Sequence, residues 1–518
     1  MLLCDTEKRM LGKIYTGTLN GIDGSKVTIE ADISRGLPVF NLVGLPDRTV
    51  REAKERVRTA ISNSNYNFPL GRITLSLWPG DVKKEGTHFD LPLALAILAA
   101  DGKVSMKKLE TMAVFGELSL DGKVNECIGC MAMVYSLYKI GIKKFMLPEK
   151  NIKEASFIKG IELFPVDRLQ DAADFINGKK RICSITGKYV TASGRKDFIT
   201  DFSEIKGQEH AKRAALISVA GFHHILFSGS PGTGKSMIAS AMRSILPQLT
   251  YEETLEKLIL KSISGEAIDE KHLSFDAPSE APHHAISESA FLGGGKKLQI
   301  GSIVKCNNGM LVLNEFPEFK TQVIQQLREP MEDKEIMIAR CGYSVRLPCR
   351  TLITATMNPC PCGYLGSDEH ECSCTMNEIQ RYRRKVSGPV LDRFDIYVEM
   401  QKIDRAELFS KNESCENRSE KFLEIIKTVR KIQNLRFKYE DEKINCNGDM
   451  SPAMINKYIN LQKQQIEMIV EISEKLKISN RGQHKALKVA RTISDIAGST
   501  EITDESILEA FSYRTREW

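Results

Sequence analysis

The chain has 518 residues, with 73 basic and 67 acidic side chains and a formal net charge of +6. Hydrophobic cores stop growing near ~250–300 residues, so this length excludes a single core and implies several domains. Apolar residues at 42% and charged residues at 27% exclude a largely disordered chain. The small net charge argues against a polybasic nucleic-acid coat but leaves room for a local basic channel.

The first ten residues lack a charged region followed by an apolar one, so no signal peptide is expected. The longest apolar run, Leu91 to Ala100, contains Pro92 and is too short to span a bilayer. A cytoplasmic chain with no membrane partner is the expectation. Thirteen cysteines in such a chain point to reduced thiols or a metal site rather than disulfides.

In chain order, Lys26 to Ala31, Val39 to Leu45 and Arg72 to Leu77 read as strands. Thr49 to Asn63 and Phe89 to Ala100 read as helices. A strand near Met112 to Leu118 leads into the turn signal Asp121-Gly122. A helix near Met131 to Ile140 and a strand at Lys144 to Leu147 complete an α/β domain over residues 1–182. Residues 183–202 have no apolar periodicity and read as a linker. A second α/β domain, 203–400, has strands at His224 to Ser228, Met310 to Leu313 and Arg350 to Thr356. Residues 401–518 turn helical: Glu420 to Leu435, Pro452 to Ile459, Gln462 to Leu476, Gly482 to Ile496 and Asp504 to Tyr513.

The sharpest motif is Gly229-Ser230-Pro231-Gly232-Thr233-Gly234-Lys235-Ser236. It follows a strand and opens a helix, as a phosphate-binding loop must. Its glycines let backbone N–H groups turn around phosphates. Lys235 brings a positive charge, and the Ser236 hydroxyl can ligate Mg²⁺ beside ATP. Hydrolysis also needs an acidic residue after a buried strand. Met310-Leu-Val-Leu-Asn-Glu315 supplies Glu315 to orient or deprotonate water. Asn314 stands before it, where such enzymes usually carry Asp, and an Asn in the metal's outer shell weakens Mg²⁺ binding. Asn358, at the end of the next strand, can reach the γ-phosphate or the lytic water. Arg393, in Ser387-Gly-Pro-Val-Leu-Asp-Arg-Phe-Asp395, suits an arginine supplied to a neighbouring subunit. Arg481 opens a helix that can close over the phosphates.

That order resembles an AAA+ ATPase. Met357-Asn-Pro-Cys-Pro-Cys-Gly363, Ala281-Pro-His-His284, Gly293-Gly-Gly295 and Val489-Ala-Arg-Thr-Ile-Ser-Asp-Ile narrow it to the magnesium-chelatase-like ATPases of the YifB or ComM family. N-terminal stretches such as Val43-Gly-Leu-Pro-Asp47, Phe89-Asp-Leu-Pro92 and Gly116 to Gly122 extend the likeness along nearly the whole chain. The resemblance implies a Lon-protease-like N-terminal α/β domain of the ribosomal S5 domain 2 type, an AAA+ P-loop core and a C-terminal helical lid. It implies Glu315 as the catalytic acidic residue, Asn358 as sensor 1, Arg393 as the trans finger and Arg481 as sensor 2. Gly207-Gln208 resembles the segment packed near adenine. The family assembles as rings, usually hexamers. Besides Asn314, two departures stand out: Ala277-Pro-Ser-Glu280 replaces a two-arginine stretch, and Ser302 replaces a usual Glu.

A Lon-type dyad needs a serine beside a lysine of depressed pKa. The matching stretches, Lys84 to Asp90 and Val124 to Ala132, carry no such pair. Thr87 and His88 are adjacent and should point apart. A structural or partner-binding domain is expected rather than a protease.

Cys360, Cys362, Cys372 and Cys374 form C-x-C, nine residues, C-x-C. Four thiolates can hold Zn²⁺, with His370 as a substitute ligand; a reduced thiol cluster is the alternative. Glu335 to Arg346 reads as a hairpin resembling the pore hairpin of ring helicases. There Arg340 and Arg346 can follow a phosphate backbone and Tyr343 can stack on a base, or the hairpin is simply solvated. Three functions remain open: a motor on DNA of helicase or branch-migration type, in competence or recombination; a motor that remodels a protein partner; and an ATP-binding scaffold with weak turnover.

Overall fold

The computed structural model describes residues 11–187, 200–266, 268, 274–294, 299–340, 343–367, 370–403, 418–440 and 444–514. Two compact units divide the chain. One comprises Met1–Gly194, Thr250–Phe275 and Ala339–Arg346; the other comprises Arg195–Leu249, Asp276–Ile338 and Leu347–Trp518. Among the described residues no helix is long and apolar enough to cross a membrane.

The first unit is built on an eight-stranded mixed sheet. Its strands are β1 (Gly12–Asn20), β2 (Asp23–Ser34), β3 (Val39–Val43), β4 (Arg72–Trp78), β5 (Ala113–Val114), β6 (Lys144–Pro148), β7 (Glu162–Val166) and β8 (Ile185–Thr186). Their spatial order is β8-β7-β6-β5-β1-β2-β4-β3. β1 and β2 form an antiparallel hairpin in which Asn20 faces Asp23 across a tight turn. Gly21 takes φ 70° there, a conformation that costs glycine nothing. β1 carries no apolar alternation, because its buried side includes Gly12, Thr16, Gly17 and Thr18 beside Ile14.

Helix Arg48–Asn63 starts where Asp47 accepts a hydrogen bond from the Val50 N–H at 2.7 Å. It buries Val50, Ala53, Val57, Ala60 and Ile61, the spacing of one helical face. Each fully buried Val or Ile contributes about 1.5–3 kcal/mol before entropy. Helix Asp90–Ala100 is buried all round and is the centre of this core. Helix Tyr251–Ser264 also belongs to this unit. Its Ser262 carbonyl accepts from the Gly129 N–H at 2.9 Å, and the Tyr251 ring stacks on Phe157. Nothing in the local pattern of residues 250–275 shows which sheet they pack on.

The second unit has a five-stranded parallel sheet: β9 (Ile225–Gly229), β10 (Ser279–Glu280), β11 (Met310–Leu313), β12 (Leu352–Met357) and β13 (Ile396–Met400). The order is β10-β11-β12-β9-β13. β11 and β12 are buried at every position, which explains their continuous apolar runs. The C-terminal helices run Arg418–Arg436, Pro452–Tyr458, Lys463–Lys475, Asn480–Ile496 and Asp504–Ser512. They share one core with the sheet: Val489, Ala490 and Ile507 join Ala214, Ile225 and Val398. The result is an α/β fold with a C-terminal helical portion, consistent with an AAA+ core.

Candidate nucleotide and metal sites

Parallel strands put all their carboxyl ends on one edge, and ligands bind in the crevice outside that edge. Here Ser228 pairs with Met357, and Gly229 pairs with Met400. Leu313 pairs with Ala355. The sheet therefore brings the Gly229–Ser236 loop, Asn314, Glu315 and Asn358 to the same edge, with Asn358's strand between the other two.

The loop ends at Gly234, whose φ of 91° caps helix Lys235–Ala241 in a conformation other residues resist. The Lys235 ammonium donates to the carbonyls of Gly229 at 2.6 Å and Ser230 at 2.8 Å. Burial pulls its pKa down to about 8. A charge held dry at a helix N-terminus is worth more to a phosphate than one in water. Thr233 is buried and donates to the Ser230 carbonyl at 2.9 Å. Ser236 is exposed in the first turn of the helix. The Gln208 amide donates to the Thr233 and Gln401 carbonyls at 3.2 and 2.6 Å, joining its segment to the loop.

Thr356 Oγ1 lies 3.4 Å from Asn314 Oδ1 and accepts from the Glu315 N–H at 3.2 Å. Glu315 itself takes φ 55°, an uncommon conformation for a side-chain-bearing residue and one that recurs at functional sites. Its carboxylate is 3.6 Å from His284 Nδ1, and His284 lies against His283 with ring centroids 4.1 Å apart. Sequence reasoning quoted Pro282-His-His284 only as a family mark; the geometry gives His284 a place beside the acid. Ser236 and Asn314, the pair expected to hold Mg²⁺, and the neighbouring Glu315 all carry oxygen atoms at this edge. Oxygen is the ligand type that Mg²⁺ takes, and the three side chains carry one anionic charge among them.

Arg393 and Arg481 both ion-pair with Glu332. Arg393 also donates to the Arg328 carbonyl at 3.1 Å and the Pro389 carbonyl at 2.5 Å, and burial lowers its pKa. Lys485, on helix Asn480–Ile496, donates to the Arg393 carbonyl and to Asp395, each at 2.6 Å. The helix that carries Arg481 is thereby tied to the segment that carries Arg393. Glu332 and Lys485 were not singled out in the sequence, since an isolated Glu or Lys in a helix signals only a solvated face.

The four cysteines converge. Cys360 Sγ is 3.3 Å from Cys362 Sγ and 3.6 Å from Cys372 Sγ, and Cys362 and Cys372 are 3.5 Å apart. All four ligand atoms lie within 4.8 Å of one another. The Cys362 N–H points at Cys374 Sγ at 3.3 Å and the Leu365 N–H at Cys360 Sγ at 3.4 Å. His370 instead sets its ring edge-on to Tyr364 at 4.9 Å.

Three family profiles match in chain order. They are "Subunit ChlI of Mg-chelatase" over residues 29–151, "Magnesium chelatase, subunit ChlI" over 201–408, and "Magnesium chelatase, subunit ChlI C-terminal" over 416–514. The competence protein ComM of Haemophilus influenzae is 34% identical over 508 residues, 97% of each chain. The chain belongs to the magnesium-chelatase-like ComM/YifB family. The YifB protein of Escherichia coli is 34% identical over 505 residues, again 97% of each chain. A more distant likeness, 25% over 189 residues, links 36% of this chain to 19% of the DNA helicase MCM8 of Bos taurus.

In this ComM/YifB family member the hairpin is present as strands Glu335–Arg340 and Tyr343–Pro348. Residues 341–342 and the side chains of Arg340 and Tyr343 lie outside the described residues. Arg346 is exposed, and neighbouring Val345 is buried against Gly21, where an added Cβ would meet its Cγ1 at 2.8 Å. In the N-terminal unit His88 is buried, bonds the Gly17 carbonyl at 2.8 Å and has its pKa lowered to about 4 by burial. The Thr87 hydroxyl donates to Glu117, and the buried Lys84 ammonium to the Pro79 carbonyl. These side chains have separate partners rather than one another. Asp90 meets Arg56 at 2.7 and 2.9 Å, and burial raises its pKa to about 6.

Proposed function

We propose that this chain is an ATP-hydrolysing motor subunit that works in a homo-oligomeric ring on DNA. The observation that supports it most is one sheet edge carrying Lys235, Glu315 and Asn358 at the carboxyl ends of adjacent strands. ATP would sit with its phosphates over Gly229–Ser236, and Mg²⁺ between Ser236 and Asn314. Glu315 would polarise the attacking water, and Asn358 would position it. Arg393 would reach a neighbouring subunit's γ-phosphate once it leaves Glu332, and Arg481 would act from the lid. DNA as substrate is supported by the competence protein among the relatives and by the helicase likeness. Arg340, Tyr343 and Arg346 are the contacts assigned to it. The N-terminal unit has a structural or docking role and no protease activity. The four cysteines take Zn²⁺.

The family profiles named for a magnesium chelatase subunit favour a second reading, a ring that remodels a protein partner. The two separate on one measurement: the ATPase rate of the purified chain with and without single-stranded or four-way-junction DNA. Stimulation by DNA and binding at low salt are expected. A rate indifferent to DNA, with no binding at low salt, would sink the DNA reading. Absence of Mg²⁺-dependent turnover would leave an ATP-binding scaffold.

A further inference from the structure

The loop that carries the four cysteines is also the wall of the nucleotide crevice. Cys360 lies two residues beyond Asn358, at the exit of β12. Gly363, one residue past Cys362, takes φ 85°, and its N–H donates back to the Cys360 carbonyl at 3.0 Å. A Cβ added to Gly363 would sit 2.7 Å from the Cδ and Cγ of Pro231 and 3.7 Å from the Cγ of Asn358. The glycine backbone is thus pressed on both the phosphate loop and the sensor side chain. At the far end Cys374 runs into helix Met376–Lys385, fixed by a capping box between Thr375 and Glu378. Tyr382 of that helix is buried, and its phenol hydrogen-bonds the Asn358 backbone.

The sulfur positions fit one small soft cation. With metal–sulfur bonds of about 2.3 Å, a tetrahedron has sulfur–sulfur edges of roughly 3.8 Å. The observed separations of 3.3, 3.5 and 3.6 Å, and the outer bound of 4.8 Å, bracket that value. Two backbone N–H groups aimed at sulfur supply the outer-shell hydrogen bonds that thiolate ligands take. Leu365 is the one branched aliphatic side chain between Asn358 and Thr375, so the sequence gives this loop little apolar side chain to pack with. Cross-linking four points of such a loop removes most of its conformational freedom.

We infer that a zinc ion on Cys360, Cys362, Cys372 and Cys374 clamps the Asn358–Thr375 loop onto the phosphate loop through Gly363, so that the metal sets the nucleotide affinity of the ATP site. This rests on reading Gly229–Ser236 and Asn358 as that site. The zinc is structural: four protein sulfurs close its coordination sphere, leaving no open position for substrate.

The test uses the full-length chain purified without chelator. Metal analysis should find one zinc per chain. Affinity for a fluorescent ATP analogue with Mg²⁺ is then measured before zinc release by a mercurial with chelator, after release, and after thiol recovery and zinc add-back. Release should weaken binding by about tenfold or more, with recovery on add-back. Gly363→Ala should keep its zinc yet lose a comparable factor, because its added Cβ has nowhere to go. Cys372→Ser should lose both zinc and affinity. Iron in place of zinc, or no metal, overturns the assignment of the ion. Zinc present but removable with no change in nucleotide affinity overturns the clamp while leaving the metal site standing. If the zinc-loaded chain binds no nucleotide, the reading of the ATP site fails instead, and the inference with it.

Discussion

On the proposed ATPase reading, Asn314 is the residue that bears on turnover most directly. Its Oδ1 lies 3.4 Å from the hydroxyl of Thr356, at the level where an outer-shell carboxylate would complete the metal's environment. On the proposed reading, Asn in place of the usual Asp keeps the shape and leaves one negative charge fewer around Mg²⁺. Restoring it with Asn314→Asp should tighten the Mg²⁺ requirement of ATP hydrolysis by about tenfold or more, since a unit charge near a divalent ion is worth over ~1.4 kcal/mol at protein-surface dielectric. The half-saturating Mg²⁺ concentration of the ATPase reaction reads this. An unchanged curve would place Asn314 outside the metal's environment. Two other residues make a pH prediction. His223 and His224 are buried beside Asp395, Lys485 and Lys488, and burial lowers both imidazoles to about 4 from an ordinary 6.5. The folded unit then binds fewer protons than the unfolded chain between those values. Its stability is complete above pH 6.5 and falls as pH drops toward 4, by about 3 kcal/mol for each ring. Asp395 is held well below the usual carboxylate range, with Lys485 the leading attraction against its burial, so it stays charged through this window. In the other unit Asp90 and Glu154 are raised to about 6 and 7 by burial, which works in the opposite direction. A whole-chain melt would mix the two. Hydrogen exchange of the β9 amides should accelerate steadily from pH 6.5 to 4 after correction for intrinsic rates, and a His223→Gln variant should show a shallower dependence.

At the scale of elements, the decisive contact is the one that ties helix Asn480–Ile496 to the start of β13. Lys485 meets Asp395 at 2.6 Å, with the carboxylate buried and the lysine partly so, and Asp395 also accepts from the His224 N–H at 2.9 Å. Arg514 adds a hydrogen bond to the Phe394 carbonyl at 2.6 Å. Lys485→Met would leave a buried carboxylate without its cation, which costs about 3–5 kcal/mol. Denaturant titration should show that loss. The double variant with Asp395→Asn should recover much of it, because no lone charge remains. If Lys485→Met alone is neutral, the pair does not hold the helix. The same scale shows what the sequence could reveal. Met310–Leu313 and the P-loop were legible because buried parallel strands are continuous apolar runs and a phosphate loop needs fixed glycines. β1 was invisible, since its buried face is mostly Gly and Thr. β13, Ile396–Met400, was passed over because Glu399 interrupts a very short run. Glu332 was hidden for a different reason: it matters only through Arg393 and Arg481, which lie 61 and 149 positions further along. Local patterns carry periodicity and motif spacing, but ion pairs between distant segments have no local signature.

For the whole molecule, the open quantity is whether Arg393 serves its own nucleotide or that of a neighbouring copy. Within one chain its guanidinium is held by Glu332 and by the carbonyls of Arg328 and Pro389, all on the unit's own segments. A finger that works in trans makes every active site a joint between two subunits. That arrangement has a quantitative consequence that a self-contained site lacks. Lys235→Ala removes the phosphate-loop charge, and Arg393→Ala removes the finger, so each variant alone should be nearly inactive. In an equimolar mixture with random exchange, a working site needs an intact Lys235 on one side and an intact Arg393 on the other. Each condition is met half the time, so about a quarter of the sites should be rebuilt. The ATPase rate of the mixture, measured after subunit exchange, should approach that fraction of the unsubstituted chain. Full independence of the two subunits predicts no recovery at any ratio, because every chain then carries its own defect. Recovery that grows as the product of the two fractions, and peaks at equal amounts, is the signature of a ring whose chemistry lies at its interfaces.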